Sequence, residues 1–277
     1  MSIDALTIIG EKLNYSIPRI KTLMDNACES GNFSEIQKIA QKQEEKGVNY
    51  LDINVGTLPI EIMQAITKAV QEVTNLPLCF DSDDFSKLRA GLEVYNYEKS
   101  LPILNSANET RINNVLSLKK EFQLILLSYD EKGKRNYEIA KNLFRKSLEY
   151  GFKPDQLYID PGMVTIAADM EGLTNVALNT IKKVNSDPEM KGVHTLVGLS
   201  NLTYGMPPKS KLPFQNAFLT LAIERGLDTI IGNSRKKYNA LDESDQALID
   251  LKTILKLENP LIGLVATPTY NLGRGFS

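Results

Sequence analysis

The sequence predicts a single-domain (β/α)8 TIM barrel of the α/β class that spans residues 1–277. Eight short apolar segments have the composition of buried strands, and segments with helical periodicity lie between them. The length also fits, because barrels of this kind fold as one domain of roughly 250 residues. Repeated strand–helix units in such a chain favour a closed parallel barrel.

The strand candidates are rich in leucine, isoleucine and valine and are bounded by polar or turn-forming residues. They are residues 6–14, 49–56, 77–82, 101–108, 123–130, 157–162, 195–201 and 228–233. Helical periodicity is clear in residues 33–47, 136–151, 214–226 and 243–259. In the second of these, one apolar face is expected to pack on the sheet; it comprises Ile139, Ala140, Leu143, Phe144 and Leu148.

A doubly wound open sheet is the alternative fold. Such a sheet usually carries a glycine-rich turn after its first strand. Here the corresponding segment reads "GEKLNYSIPR", which is not G-x-G-x-x-G, and the chain has no P-loop motif. The barrel is therefore favoured.

Composition narrows the possible partners and compartment. The net charge is −2 with a pI near 5.7, so no nucleic acid or anionic membrane is expected as a partner. No apolar run approaches the roughly 20 residues that span a bilayer, and the N-terminus lacks the features of a signal peptide. Cys28 and Cys79 are too few for a disulfide framework, and we expect a cytoplasmic protein.

Zinc chemistry is not expected of this chain. It has one histidine, His194, and no C-x-x-C pair, whereas zinc sites need several His or Cys ligands. His194 stands where a strand begins, and a structural role is expected for it. We expect no metal bound by this chain.

Almost every predicted strand ends in polar residues. The active site of a barrel lies at the carboxyl ends of its strands. For one strand, capping of the following helix would explain an Asp, Asn or Ser. Repetition around the whole rim instead favours a ligand pocket; the residues are Glu11, Asn14, Asp52, Asn54, Asp81, Ser82, Asn105, Asn108, Asp130, Asp160, Ser200, Asn201 and Asn233.

A rim of carboxylates and carboxamides suits a flat, neutral heterocycle with many donors and acceptors. A carboxylate accepts two N–H bonds from a guanidine-like edge, and a carboxamide both donates and accepts. Pterins have such an edge. Mg²⁺ is the alternative ligand of a carboxylate-rich rim, but the share of asparagine disfavours it.

The strand ends, taken in order, resemble those of the pterin-binding methyltransferase family, which transfers methyl groups between tetrahydrofolate and corrinoid proteins. The matching pieces are "IGEKLN" (9–14), "QEEKGVNYLDINVG" (43–56), "LCFDS" (78–82), "LNSAN" (104–108), "LYIDPG" (157–162) and "GLSNLTYGMP" (198–207). One piece alone would be weak, but six in the family's order form a specific signature.

The resemblance implies a role for each matching residue. Asp160 and Asn105 would hold the pyrimidine side of the pterin, and Asp81 the reduced-ring side. Asn201 would reach N5, the methyl-bearing nitrogen, as the catalytic residue. The same pocket would be lined by Asn14, Asp52, Asn54, Gly198 and Ser200.

The resemblance further implies tetrahydrofolate or 5-methyltetrahydrofolate as substrate, a homodimer, and a corrinoid (cobalamin) carried by a separate corrinoid-binding protein. This chain lacks the D-x-H-x-x-G signature of a cobalamin-binding domain. The direction of transfer stays open, with methylcorrinoid to tetrahydrofolate in a demethylation pathway as the favoured one.

Two alternatives remain, a dihydropteroate-synthase-like enzyme and a non-catalytic folate-binding protein. The seventh strand ends in "GLSN", without the S-R-K of the synthase. Three features depart from the methyltransferase pattern. They are Lys209 and Lys211 in place of an arginine loop, Asn233 in place of an Asp, and a tail at residues 256–277 with no assigned role.

Overall fold

Eight parallel strands close into a barrel in chain order, as the sequence predicted. The computed structural model describes residues 2–98, 100–118, 120–130 and 132–272. Each strand pairs with its sequence neighbours, and β1 also pairs with β8 to close the ring. The strands are β1 Thr7–Asn14, β2 Tyr50–Asn54, β3 Leu78–Asp81, β4 Ile103–Ala107, β5 Gln123–Leu127, β6 Leu157–Asp160, β7 His194–Gly198 and β8 Thr229–Gly232.

Helices fill the connections and cover the outside of the barrel. Their apolar faces supply most of the core, packed between helices and strands. They are α1 Pro18–Ser30, α2 Ser34–Glu44, α3 Ile60–Val73, α4 Phe85–Val94, α5 Ile112–Leu116, α6 Tyr137–Glu149, α7 Leu173–Ser186, α8 Leu199–Leu202, α9 Pro208–Ile223, α10 Gln246–Ile254 and α11 Pro260–Leu264. No helix in these ranges is long and apolar enough to cross a membrane.

Three details differ from the sequence prediction. Ser200 and Asn201 lie in the short helix α8 rather than on the seventh strand, because the strand ends at Gly198. Helix α9 begins at Pro208, six residues before the predicted start, since proline is well placed in a first helical turn. Leu148 is 37% exposed in the last turn of α6, so its predicted place in the core was wrong.

Strand alternation fills the barrel interior with an apolar layer. Successive side chains of a strand point to opposite faces, so residues two apart share the interior. The interior layer consists of one residue from each strand: Ile9, Tyr50, Cys79, Ile103, Ile125, Tyr158, Leu196 and Ile231. The residues two positions further along therefore form the next layer, at the carboxyl end of the barrel.

The opposite end of the barrel is closed by a polar and aromatic network. The Tyr158 hydroxyl donates to Gln123 Oε1 (2.7 Å), and Gln123 Nε2 donates to the Tyr50 hydroxyl (3.1 Å). His194 stacks on Tyr158 with ring centroids 4.8 Å apart, and its Nδ1 lies 2.8 Å from Asp228 Oδ2. His194 thus has the structural role expected for it.

Two strands carry a β-bulge near the carboxyl end. In β1, Gly10 pairs with Leu51 but Leu13 pairs with Ile53, which leaves one extra residue in β1. In β4, Asn105 and Ala107 pair with consecutive residues of β5. Bulges of this kind re-aim side chains at barrel rims. The polar residues at these two strand ends are therefore placed by local irregularity as well as by alternation.

We predict that Gly91→Ala destabilises the protein, although alanine normally favours a helix by roughly 0.5–1 kcal/mol over glycine. A Cβ at Gly91 in α4 would lie 2.7 Å from the fully buried ring of Phe80, which precedes Asp81 on β3. The expected loss is about 1–3 kcal/mol of unfolding free energy in urea. Glu93→Ala, on the exposed side of α4, is the control. A Gly91→Ala protein as stable as wild type would contradict this packing.

Candidate active site

A ring of polar side chains lies at the carboxyl end of the barrel, one layer above the apolar interior. Of the eight positions two residues beyond the apolar layer, Leu127 and Gly198 are not polar; the six polar ones are Glu11, Asp52, Asp81, Asn105, Asp160 and Asn233. Asp81 and Asn105 are direct register partners on neighbouring strands. Neighbouring strands lie about 4.8 Å apart, so these two side chains open onto the same space.

Asp81 is held by Asn54. The Nδ2 of Asn54 donates to Asp81 Oδ2 (2.9 Å), while Asn54 Oδ1 accepts the N–H of Gly56 (2.8 Å). Both ends of the Asn54 amide are therefore used inside the protein. Within the described residues, Asp81 Oδ1 keeps its capacity to accept hydrogen bonds. Burial raises the pKa of Asp81 to about 6, despite the opposing effects of Asn54 and Arg111.

Asp160 is oriented by the turn that follows its strand. Its Oδ1 accepts the N–H of Gly162 (2.7 Å), and Arg135 Nε donates to the carbonyl of the same glycine (2.8 Å). Arg135 also lies over the ring of Tyr129, 5.3 Å from the centroid. Burial raises the pKa of Asp160 to about 6 as well. The arginine thus fixes the turn, and the described residues make no hydrogen bond to the second carboxyl oxygen of Asp160.

Asp52 lies deepest in the polar ring and is 1% exposed. Neither carboxyl oxygen makes a hydrogen bond of good geometry within the described residues, although the Cys79 thiol and the Asn14 amide lie against it. Burial raises the pKa of Asp52 well above its ordinary value, and the nearby carboxyls of Asp81 and Glu11 raise it further. The neutral acid is the form that this position favours.

The end of β7 and the helix α8 that follows it bring three residues to the rim, Gly198, Ser200 and Asn201. The Ser200 hydroxyl donates to Glu11 Oε1 (2.6 Å), which links α8 to β1. Burial raises the pKa of Glu11, with Ser200 and Lys12 acting in the opposite direction. Asn201 is exposed, and its carboxamide has no hydrogen-bond partner in the described part of the chain. A Cβ at Gly198 would lie 2.9 Å from Asn201 Nδ2, so glycine leaves room for this side chain.

Other rim residues have the capping role that a single strand end suggests. Asn14 Oδ1 accepts the N–H of Ser16, and Asn108 Oδ1 accepts the N–H of Arg111. Asp130 Oδ1 accepts two backbone N–H groups, and Asn233 Oδ1 accepts that of Arg235. These four side chains are already used by local turns. The rim therefore divides into turn-forming residues and a smaller set with free polar atoms.

Cations around the rim were not predicted as site residues from the sequence. Arg111 donates to Ser82 and Asp83 beside Asp81, and Lys236 Nζ donates to Gln215 Oε1 (2.7 Å) near Glu11. Lys236 belongs to the basic segment "SRKK" (234–237) after the eighth strand, whereas no sequence motif marks Arg111. In the described ranges, no group of three or more His, Cys, Asp or Glu side chains is arranged to hold a metal ion.

Fold and site together define a class of protein: a (β/α)8 barrel whose carboxyl rim presents free carboxylate and carboxamide groups. The chain belongs to the pterin binding enzyme family, whose model matches residues 22–233. The family assignment made from the strand-end motifs is thereby confirmed.

Several relatives match most of the chain. Methylcorrinoid:tetrahydrofolate methyltransferase from Eubacterium limosum is 28% identical over 261 residues, covering 88% of this chain and 91% of that protein. Methionine synthase from Mycobacterium leprae is 26% identical over 272 residues, and the match covers 89% of this chain but 22% of the synthase.

Solved structures of dihydropteroate synthases share the fold. The Coxiella burnetii enzyme in complex with pteroic acid has a TM-score of 0.58 at 14% identity, over 92% of this chain and 94% of that one. The Yersinia pestis enzyme has a TM-score of 0.58 at 13% identity, over 92% and 95% of the two chains. At this level of identity the likeness shows the barrel architecture alone.

We predict that Asp160→Asn stabilises the free protein at pH 8. The folded-state pKa of about 6 lies above the ordinary value of 3.8, so the ionised carboxylate destabilises the fold above pH 6. The neutral amide still accepts the Gly162 N–H, and the expected gain is about 1–3 kcal/mol at pH 8. The gain should disappear near pH 4, where the carboxyl is protonated. Urea unfolding of wild type and variant at pH 8 and pH 4 measures the gain in unfolding free energy. An equal gain at the two pH values would contradict the raised pKa of Asp160.

Proposed function

We propose that this protein transfers a methyl group between N5 of tetrahydrofolate and the cobalt of a corrinoid carried by a separate protein. The direction we favour is from methylcorrinoid to tetrahydrofolate, in a demethylation pathway. The observation that carries the proposal is the exposed, unpartnered carboxamide of Asn201 beside the ring of free pterin-edge groups. The similarity to the Eubacterium limosum methyltransferase, over nearly the whole length of both chains, supports it.

The free polar atoms of the ring fit a pterin. Asp160 and Asn105 would accept from the amino group and ring N–H of the pyrimidine and donate to its carbonyl. Asp81, held by Asn54, would face the reduced ring. Asn14, Asp52, Gly198 and Ser200 would line the same pocket, and Asp52 is the most buried of these four residues. Binding would then satisfy groups that the protein leaves unpartnered.

Asn201 would hydrogen-bond to N5 of the pterin in both of its charge states. Unprotonated N5 is a poor leaving group, so removal of its methyl group requires protonation or a strong hydrogen bond. In the reverse direction N5 must present its lone pair to the methyl group on cobalt. A carboxamide accepts from N5–H⁺ or donates to neutral N5, depending on its orientation. The free Asn201 side chain can reorient, and the proton would reach N5 from solvent through the Asp and Asn groups of the rim.

The remaining parts of the proposal concern assembly. We propose a homodimer, a separate corrinoid-binding protein as partner, and a cytoplasmic location. Exposed apolar side chains at the C-terminal end, Ile262 and Val265, support self-association. Lys209 lies in the first turn of α9, immediately after the Asn201 segment, where it can face a partner docked on the rim.

We predict that Asn201→Ala lowers the methyl-transfer rate by about 100-fold or more, as loss of one well-placed polar group at a reacting centre does. Folate affinity should change by about threefold at most, because ring recognition does not depend on this group. Single-turnover transfer and a folate titration measure the two effects.

Asn108→Ala is the matched control, because this rim asparagine serves only its own turn. It should cost about 1 kcal/mol of stability and leave the rate unchanged. A transfer rate for Asn201→Ala within about twofold of wild type would remove Asn201 from the reaction and favour a non-catalytic folate-binding protein.

We predict that folate binding weakens as the pH falls through about 6, because Asp81 and Asp160 must be ionised to accept the pterin N–H groups. Asp160→Ala and Asn105→Ala should each raise the folate Kd by about tenfold or more. Titrations between pH 5 and pH 8 provide both tests. Unchanged affinity in either variant would place that residue outside the pocket.

A further inference from the structure

A second cavity lies beside the rim, between α1, α2 and the segments that follow β1 and β8. Its volume is about 240 Å³. The apolar part of its wall comes from Ile17, Ile20, Leu23 and Ile39. Nothing in the proposed pterin chemistry uses this cavity.

The cavity is strongly cationic. Six basic and two acidic side chains line it, and one pair, Lys38 and Glu35, is joined by a salt bridge of 2.6 Å. Among the described residues, none of the other five basic groups has a carboxylate within 4.0 Å; they are Lys12, Arg19, Lys42, Lys46 and Arg235. An apolar wall bordered by unpaired cations fits an apolar ligand that carries carboxylates.

Gln43 gives an independent sign of a ligand. It forms part of the cavity wall and is 2% exposed. Its Oε1 accepts the backbone N–H of Lys12 (3.1 Å) at the bulge of β1, which fixes the orientation of the amide. Its Nε2 is buried and has no hydrogen-bond partner within the described residues. A buried donor without an acceptor is unfavourable, and a small shift of this wall residue would bring it to a carboxylate or carbonyl held in the cavity.

The cavity adjoins the proposed folate site. Lys12 follows Glu11, which bonds Ser200 on the rim, so neighbouring residues of β1 serve the two spaces. Arg235 follows β8, whose end also lies on the rim. The end of β1 and the segment after β8 therefore contribute residues both to the rim and to the cavity wall.

We propose that this cavity binds the p-aminobenzoyl-glutamate end of the folate, with the carboxylates of one or more γ-linked glutamates on Lys42, Lys46 and the Gln43 amide. This proposal rests on the proposed function, in which folate is the substrate. It adds the residues that would bind the p-aminobenzoyl-glutamate tail of that substrate. The apolar wall packs against the aryl ring and glutamyl methylenes. An acidic segment of a partner protein is the competing occupant.

The test compares three ligands: 6-methyltetrahydropterin, which has no tail, tetrahydrofolate with one glutamate, and tetrahydrofolate with three. They are titrated against wild type, Lys42→Glu/Lys46→Glu, and the matched charge-reversal control Lys68→Glu/Lys182→Glu on α3 and α7. Wild type and control should bind the triglutamate about tenfold more tightly than the monoglutamate. The cavity variant should lose this preference while its affinity for the tail-less pterin stays within about twofold of wild type. The preference should also shrink in high salt.

Three outcomes would overturn the proposal. Wild type could bind both folates equally, or the cavity variant could keep the triglutamate preference. The cavity variant could also lose only methyl transfer from a corrinoid protein, which would assign the cavity to that partner. If the tail-less pterin itself fails to bind wild type, the proposed function fails too, and this result is distinguishable from failure of the tail site alone.

Discussion

The alternation of side chains along the eight parallel strands is the constraint on which the site depends. In a closed barrel, every second side chain of a strand points into the interior. The positions of the apolar layer, which includes Ile9 and Tyr158, therefore determine which residues form the layer at the carboxyl end. Asp52, Asp81, Asn105 and Asp160 each stand two positions beyond that layer. Helix packing outside the barrel, such as Phe80 against Gly91, holds the strands that carry them.

The electrostatic state of the ring follows from this placement. Burial raises the pKa of Asp52, Asp81, Asp160 and Glu11, and the basic residues Arg111, Arg135, Lys12 and Lys236 oppose this effect only in part. The free protein therefore holds carboxyl groups that are less stable in their ionised form than in water. A ligand with several N–H donors would supply the missing hydrogen bonds. The buried carboxyl groups thus lower the stability of the free protein and would allow it to bind such a ligand selectively.

The sequence was sufficient for the barrel, because eight apolar segments alternate with segments of helical periodicity, and for the position of the interior carboxyls, because they stand at the ends of those apolar segments. It could not separate Asn108, Asp130 and Asn233 from Asn105 and Asn201, since the same residue type caps a turn or faces a ligand. Only the hydrogen bonds distinguish them. The cavity between α1 and α2 was also hidden from the sequence, because only the closure of β1 on β8 brings Arg235 next to the basic residues of segment 12–46.

The central claim is that this rim transfers a methyl group rather than only holding a pterin. The most direct measurement mixes the protein with a methylated corrinoid donor, methylcobalamin or a methylated corrinoid protein, and tetrahydrofolate, and follows the corrinoid absorption spectrum together with 5-methyltetrahydrofolate formation. The account predicts demethylation of the corrinoid with equal formation of 5-methyltetrahydrofolate, and loss of both in Asn201→Ala. An unchanged spectrum with a competent donor protein, under conditions where tetrahydrofolate is bound, would contradict it.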